Sequence, residues 1–268
     1  MERRHIGGLE LPVVGMGTSE TFDCGDDGIP TRTELVDVLL SAGGTVFDSS
    51  PMYGRAERVL SAALDGRRSE AVIATKVWTE HDAEAERQIA ASLAYYGGRV
   101  ELFQIHNLLA WPTRLAQLER ERERGTVDLI GATHWRHQAF DELEEVMRTG
   151  RIEFVQVPYN PIEREVEARI LPLAADLGLG VLVMRPFAKA ALLKKAPAAD
   201  ELSPLAEHGI TDWAQALLVW GLSDPRTTVS IPATSRPERA AGHATAGRGR
   251  WLDNDARAYA TRLAEGLT

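Results

Sequence analysis

Ala71-Val72-Ile73-Ala74-Thr75-Lys76, then a helical stretch over residues 85–96, then Leu102-Phe103-Gln104-Ile105-His106 form the passage that decides the fold. Its first and last segments are unbroken apolar runs of strand length, which suit strands covered on both faces. Between them Ile89, Leu93 and Tyr96 recur at i, i+4 and i+7, the stripe of a helix with one buried face. The passage therefore reads as one β–α–β unit with parallel strands.

The same unit repeats outward in both directions. Residues 13–17, 45–47, 128–131, 154–157, 181–184 and 228–231 supply six more apolar runs, for eight strands in all. Residues 138–148, with Phe140, Leu143 and Met147, and 211–222, with Trp213, Ala216, Leu217 and Trp220, read as helices between them. The alternating charges of residues 119–124 fit a solvated helix face. Eight alternations without a Gly-rich phosphate fingerprint favour a closed barrel over a doubly wound sheet. The expected fold is α/β, a (β/α)8 TIM barrel, with residues 1–268 as a single domain.

Gly15-Met16-Gly17 lacks the third glycine of a dinucleotide fingerprint, so it reads as a barrel strand whose glycines make room for interior side chains. Ahead of it, residues 5–11 form a hairpin pattern around Gly7-Gly8, placed to plug the barrel bottom. Residues 187–209 lack clear periodicity and follow the seventh strand, which makes them a candidate lid on the site face.

Composition narrows the function. Acidic residues outnumber Lys and Arg by 39 to 30, a formal charge of −9, which disfavours nucleic-acid and membrane-surface partners. The lone Cys24 excludes an intrachain disulfide and a cysteine-based metal centre, and no metal is expected. Without an apolar leader or membrane span, a cytoplasmic protein with a small-molecule partner is expected.

Three polar residues follow three successive strands. Asp48 comes after Phe47, Lys76 after Thr75 and His106 after Ile105, each about one β–α unit apart, and Tyr53 joins from the loop after Asp48. In a barrel these converge on one mouth. A phenol is a weak acid, with an ordinary pKa of about 10, and a nearby ammonium favours its proton loss. Lys76 suits that task for Tyr53, Asp48 is the counter-ion a buried ammonium needs, and His106 is placed to orient the proton-accepting oxygen.

Phe47-Asp48-Ser49-Ser50-Pro51-Met52-Tyr53-Gly54, Thr75-Lys76-Val77-Trp78 and Gln104-Ile105-His106-Asn107 resemble the Asp, Tyr, Lys and His motifs of the aldo-keto reductases. The resemblance runs from the N-terminal hairpin to the helix near Arg239. It implies an NAD(P)H-dependent oxidoreductase that reduces aldehydes or ketones, with Tyr53 as general acid and hydride from a nicotinamide.

The same resemblance implies the cofactor contacts. Thr133, His134 and Gln156 would hold the nicotinamide amide, Gln156 as the family's Gln and Thr133-His134 in place of its common Ser-Asn pair. Met184 would pack where an aromatic residue often stacks, Arg185 beside it, and Lys189 would balance phosphate charge. Ile231, Thr234, Arg236 and Arg239 match the adenosine-phosphate segment, where two arginines at a helix start suit a 2′-phosphate, so NADPH is expected over NADH. Ala233 and Gly242-His243 depart from the family's lysine and Glu-Asn there. Phe22, Trp78, Trp111 and Trp135 follow strands and would wall an apolar substrate pocket. A chain end soon after the helix over residues 256–267 implies a rather open mouth. Two other readings are a cofactor-binding but catalytically silent regulatory protein, and a lyase or isomerase using Lys76 as a Schiff-base nucleophile.

Overall fold

The computed structural model describes all residues, 1–268. Two antiparallel strands open the chain, β1 (Arg3–Ile6) and β2 (Leu9–Pro12), joined at Gly7-Gly8 as expected. Eight parallel strands follow: β3 (Met16–Gly17), β4 (Val46–Asp48), β5 (Val72–Val77), β6 (Val100–His106), β7 (Val127–Thr133), β8 (Phe154–Pro158), β9 (Gly180–Met184) and β10 (Val229–Ser230). They pair in sequence order from β3 to β10. The bridges Val14↔Ser230 and Gly17↔Ala233 close the ends into a barrel.

Helices alternate with the strands: α1 (Ile29–Ser41), α2 (Ala56–Ala63), α3 (Asp82–Tyr95), α4 (Trp111–Glu123), α5 (Phe140–Arg148) and α6 (Ile170–Leu177). After β9 come the short α7 (Ala199–Leu202) and α8 (Trp213–Leu222), and after β10 α9 (Pro237–Thr245) and α10 (Asn254–Leu267). Capping sets several starts. Asp212 accepts the Gln215 N–H at 2.9 Å to begin α8, and Asp253 accepts the Ala256 N–H at 2.8 Å to begin α10. No helix is long and apolar enough to cross a membrane.

The barrel interior shows why the hairpin exists. Ile6 and Leu11 join Val46, Ala74, Leu102, Phe154, Leu182, Val229 and Ile231 in one apolar cluster separate from the larger core between strands and helices. A Cβ on Gly180 would lie 2.4 Å from Ile6 Cγ1, so only glycine lets the hairpin seat against β9. Full burial of Ile6 and Leu11 contributes about 1.5–3 kcal/mol each.

A Cβ on Gly15 would meet the Val46 carbonyl oxygen at 2.7 Å and Val46 Cβ at 3.0 Å, and one on Gly17 the Ile231 oxygen at 2.9 Å, so Gly15 makes room for an interior side chain as expected and both glycines also admit neighbouring backbone. Residues 187–209, the candidate lid, contain short regular elements. They carry α7 and two 3₁₀ turns, and they are tied down by Trp213 Nε1 donating to Leu192 O at 2.8 Å and Tyr259 Oη to Glu201 O at 2.8 Å.

Candidate active site

Side chains alternate along a strand, so the positions facing the barrel axis are set by parity. Val46, Ala74, Leu102, Leu129, Phe154 and Leu182 belong to the interior cluster. Two or four residues further along each strand stand Asp48, Lys76, Gln104 with His106, Thr133, Gln156 and Met184. The barrel is thus apolar below and polar at the C-terminal end of its strands. Asp48, Lys76 and His106, expected just beyond the strands, are their final or penultimate residues and face inward because of it.

At the centre is an ion pair with almost no solvent access. Lys76 Nζ donates to Asp48 Oδ1 at 2.7 Å, to Oδ2 at 2.8 Å and to Ser49 O at 2.7 Å, which uses all three of its hydrogens. Asp48 also accepts from Gln104 Nε2 at 3.2 Å and Gln156 Nε2 at 3.4 Å. Burial pulls the Lys76 pKa down, but Asp48, Tyr53 and Glu57 outweigh it and hold the group above its ordinary value. The side chain is an ammonium at neutral pH.

Tyr53 ends a 3₁₀ turn, Pro51–Tyr53, that begins where Ser50 Oγ accepts the Met52 N–H at 3.2 Å. Its ring centroid lies 5.3 Å from Lys76 Nζ and 6.0 Å from the His106 ring, edge to face. Lys76 pulls toward easier proton loss, as expected from the sequence. Burial pushes harder the other way, so the phenol stands above its ordinary value and stays protonated.

His106 is buried, and desolvation, reinforced by Lys76 and His134, lowers its pKa to about 3. It is neutral. Its Nδ1 lies 3.0 Å from Ser50 Oγ. That oxygen already accepts from Met52 N, and its hydroxyl hydrogen has no other acceptor, so Ser50 donates to Nδ1 and the ring proton resides on Nε2. His106 therefore offers a neutral N–H donor.

Sequence reasoning passed over four contributors. Ser50 and Gln104 lay inside quoted motifs without a role. Gln104 was legible, since it shares the strand parity of His106. Glu57, four residues after Tyr53, is buried behind Lys76, where Thr75 Oγ1 and Ser92 Oγ donate to its Oε1 at 2.6 and 2.7 Å. Burial raises its pKa against those two hydrogen bonds. Buried Asn160 holds the loop after β9 by donating from Nδ2 to Arg185 O at 2.9 Å.

The expected cofactor positions surround this centre. Thr133 Oγ1 donates to Gln156 O at 2.8 Å, and Gln156 Oε1 is a buried acceptor with no partner. His134 Nδ1 accepts the Arg136 N–H at 3.0 Å, and its pKa is lowered by burial, so its ring hydrogen sits on Nε2 as a donor. One free donor and one orphaned acceptor match the C=O and NH₂ of a carboxamide, so these residues fit a nicotinamide amide.

Met184 is half-buried at the end of β9. Arg185, Ala188, Lys189 and Ala190 all adopt positive φ (54°, 48°, 53° and 66°), so this loop takes glycine-like conformations without glycine. Such backbone is costly and persists where a site demands it. At the other rim, Ile231 and Thr234 are buried, while Arg236 and Arg239 are exposed at the start of α9 without ion-pair partners. His243 does not reach the surface. It is buried against Phe187, ring centroids 5.2 Å apart, and burial lowers its pKa to about 4.

The four expected pocket aromatics divide. Trp78 and Trp135 are exposed at the mouth, 40% and 37%, and Trp111 starts α4 partly packed on the core. Phe22 is a correction: it is fully buried in the main core, so it presents no surface to a substrate. Its loop turns back because Phe22 N bonds Thr18 O, and apolar burial holds the ring inside.

A (β/α)8 barrel with a buried polar array at the C-terminal ends of its strands has the architecture of a barrel enzyme. The sequence profile described as the aldo/keto reductase family matches residues 14–258. The chain belongs to the aldo/keto reductase family and is an oxidoreductase of that family. It is 26% identical over 216 residues to the aldo-keto reductase YhdN of Bacillus subtilis (strain 168), covering 70% of this chain and 62% of that one. It is 27% identical over 230 residues to the methylglyoxal reductase YeaE of Escherichia coli (strain K12), covering 81% and 79%. Among solved structures, an aldo/keto reductase from Klebsiella pneumoniae in complex with NADP and acetate superposes with a TM-score of 0.81 at 22% identity, covering 95% of this chain and 92% of the other.

Proposed function

We propose that this protein is an NADPH-dependent reductase of aldehydes and ketones in which Tyr53 donates the proton. The observation that carries the reading is the buried Asp48–Lys76 pair set 5.3 Å beneath the Tyr53 ring, with a neutral histidine at its edge. Thr133, His134 and Gln156 would hold a nicotinamide, which would supply the hydride for the carbonyl carbon. The carbonyl oxygen takes the Tyr53 proton, so one C–H and one O–H bond form as the C=O π bond breaks. Lys76 stabilises the phenolate left behind. His106 Nε2–H is the donor that orients the carbonyl oxygen.

Support for the cofactor comes from the orphaned Gln156 Oε1 and the free donor on His134 Nε2, and from the NADP bound in the Klebsiella relative of the same fold. Support for a phosphorylated nucleotide comes from Arg236 and Arg239 at the start of α9. A cytoplasmic site of action and a small carbonyl substrate complete the proposal. Retention of Tyr53, Lys76 and Asp48 together disfavours a catalytically silent role, and three hydrogen bonds on Lys76 disfavour a free amine nucleophile.

The test is a fluorescence titration with NADPH and NADH, followed by an absorbance assay against an aldehyde panel. NADPH is expected to bind and to be consumed, and no binding of either nucleotide would overturn the proposal. Arg239→Ala is expected to weaken NADPH about tenfold and NADH little, since only NADPH carries the 2′-phosphate. Equal weakening of both would reject that contact.

A further inference from the structure

In a chain of net charge −9, most arginines are paired with acids, yet three cations converge unpaired on one indole. Arg136 Cζ lies 4.4 Å, Arg185 Cζ 4.5 Å and Lys189 Nζ 5.9 Å from the centroid of the Trp135 ring. None of the three side chains forms an ion pair or a side-chain hydrogen bond. A ring face offsets about 0.5–1 kcal/mol per exposed cation, too little to neutralise three charges that repel one another. Glu163 and Glu20 are the acids whose charge reaches Arg185, but neither forms an ion pair with it, and Glu163 is held instead by Asn160 Nδ2 at 2.6 Å.

Arg185 is the built member of the group. Its backbone sits at φ 54° with its carbonyl held by buried Asn160, which sets where the side chain leaves the loop, and the guanidinium lies over Trp135. Burial pulls its pKa below the ordinary arginine value, opposed by Glu163 and then by Tyr53. Its charge therefore reaches the phenol that donates the proton. Around the same mouth, Met52 (44% exposed), Trp78 (40%) and Trp135 (37%) are three of the few large apolar side chains left open to solvent. The mouth thus combines exposed apolar side chains with the Arg185 cation on Trp135.

We infer that Arg185, seated on Trp135, is a substrate-selecting residue that takes a carboxylate or comparable anionic group of the carbonyl substrate. The enzyme then reduces acidic aldehydes or ketones in preference to neutral ones of the same shape. This rests on the reading of Tyr53 as proton donor. The pyrophosphate of a dinucleotide offers the same anionic chemistry, so the test separates the two sources.

The test measures kcat/KM for 4-carboxybenzaldehyde against its methyl ester, and for phenylglyoxylate against its methyl ester, with NADPH Kd measured in parallel. Wild type is expected to favour the acid at least tenfold in one or both pairs. Arg185→Met, assayed at saturating NADPH because Arg185 also stands among the implied cofactor contacts, is expected to bring that ratio near one through the KM of the acid, and Arg185→Lys to keep part of the preference. Reduction of acids and esters at equal efficiency by wild type would overturn the inference while leaving carbonyl reduction intact. So would an Arg185→Met variant that binds NADPH ten times more weakly with an unchanged acid-to-ester ratio, which would give the cations to the nucleotide phosphates. Absence of turnover with all four compounds, despite NADPH binding, would overturn both readings.

Discussion

Tyr53→Phe is expected to lower turnover by about 10²- to 10⁴-fold, the range that a positioned general acid contributes, while NADPH affinity stays within about threefold. The substitution removes one oxygen and keeps the ring, so the edge contact with His106 and the position over Lys76 survive. What is lost is the only neutral acid that the Asp48–Lys76 pair can support. The phenol is held protonated by burial, so it is ready to donate, and the ammonium beneath it stabilises the charge that appears only as the proton leaves. That selectivity for the transition state is why kcat should fall and nucleotide binding should not. Single-turnover kinetics with pre-bound NADPH measures it, and wild-type turnover would refute the role of Tyr53.

Asp48→Ala carries the largest expected cost in stability, about 3–5 kcal/mol, the penalty for leaving one partner of a buried ion pair alone. Lys76 is 1% exposed and has Ser49 O as its only other acceptor. Gln104 and Gln156 lose their Nε2 acceptor in the same change, and each already has an unpartnered Oε1. In thermal unfolding the midpoint should fall by on the order of 10 °C for a chain of this size. Adding Lys76→Met should recover much of the loss, because it removes the uncompensated charge and fills the space with an apolar chain of similar length. A single variant as stable as wild type would mean that water reaches Lys76. A double variant no more stable than the single would mean that packing, not charge, was lost.

The large features were legible because they follow from periodicity. Unbroken strand runs alternating with striped helices require a sheet covered on both faces, and a polar residue at each successive strand end places Asp48, Lys76 and His106 at one mouth. The Gly7-Gly8 hairpin was legible from turn chemistry alone. Parity also explains where the reading slipped by a residue or two. Strand ends are set by ladder hydrogen bonds, and Lys76 and His106 belong to those ladders.

Contacts between residues remote in the chain were not legible. Ser50 meets His106 across 56 positions, and Gln156 meets Asp48 across 108, so no local pattern announces either. Phe22 looked like a pocket wall because it follows the first strand, but whether a loop aromatic faces out or in depends on how its loop folds back. Trp135 gave no hint that Arg185, from the loop after β9, would lie across its face.

By itself, then, the sequence determined the barrel, its plug and the identity of the four central side chains, since each depends on spacing along one strand or one turn. Only the tertiary structure decided their protonation states and partners. The neutral His106, the charged Lys76, the protonated Tyr53 and the unpaired cations over Trp135 all result from burial and from groups carried by other strands. A linear pattern does not encode the depth or the neighbours on which those energies depend.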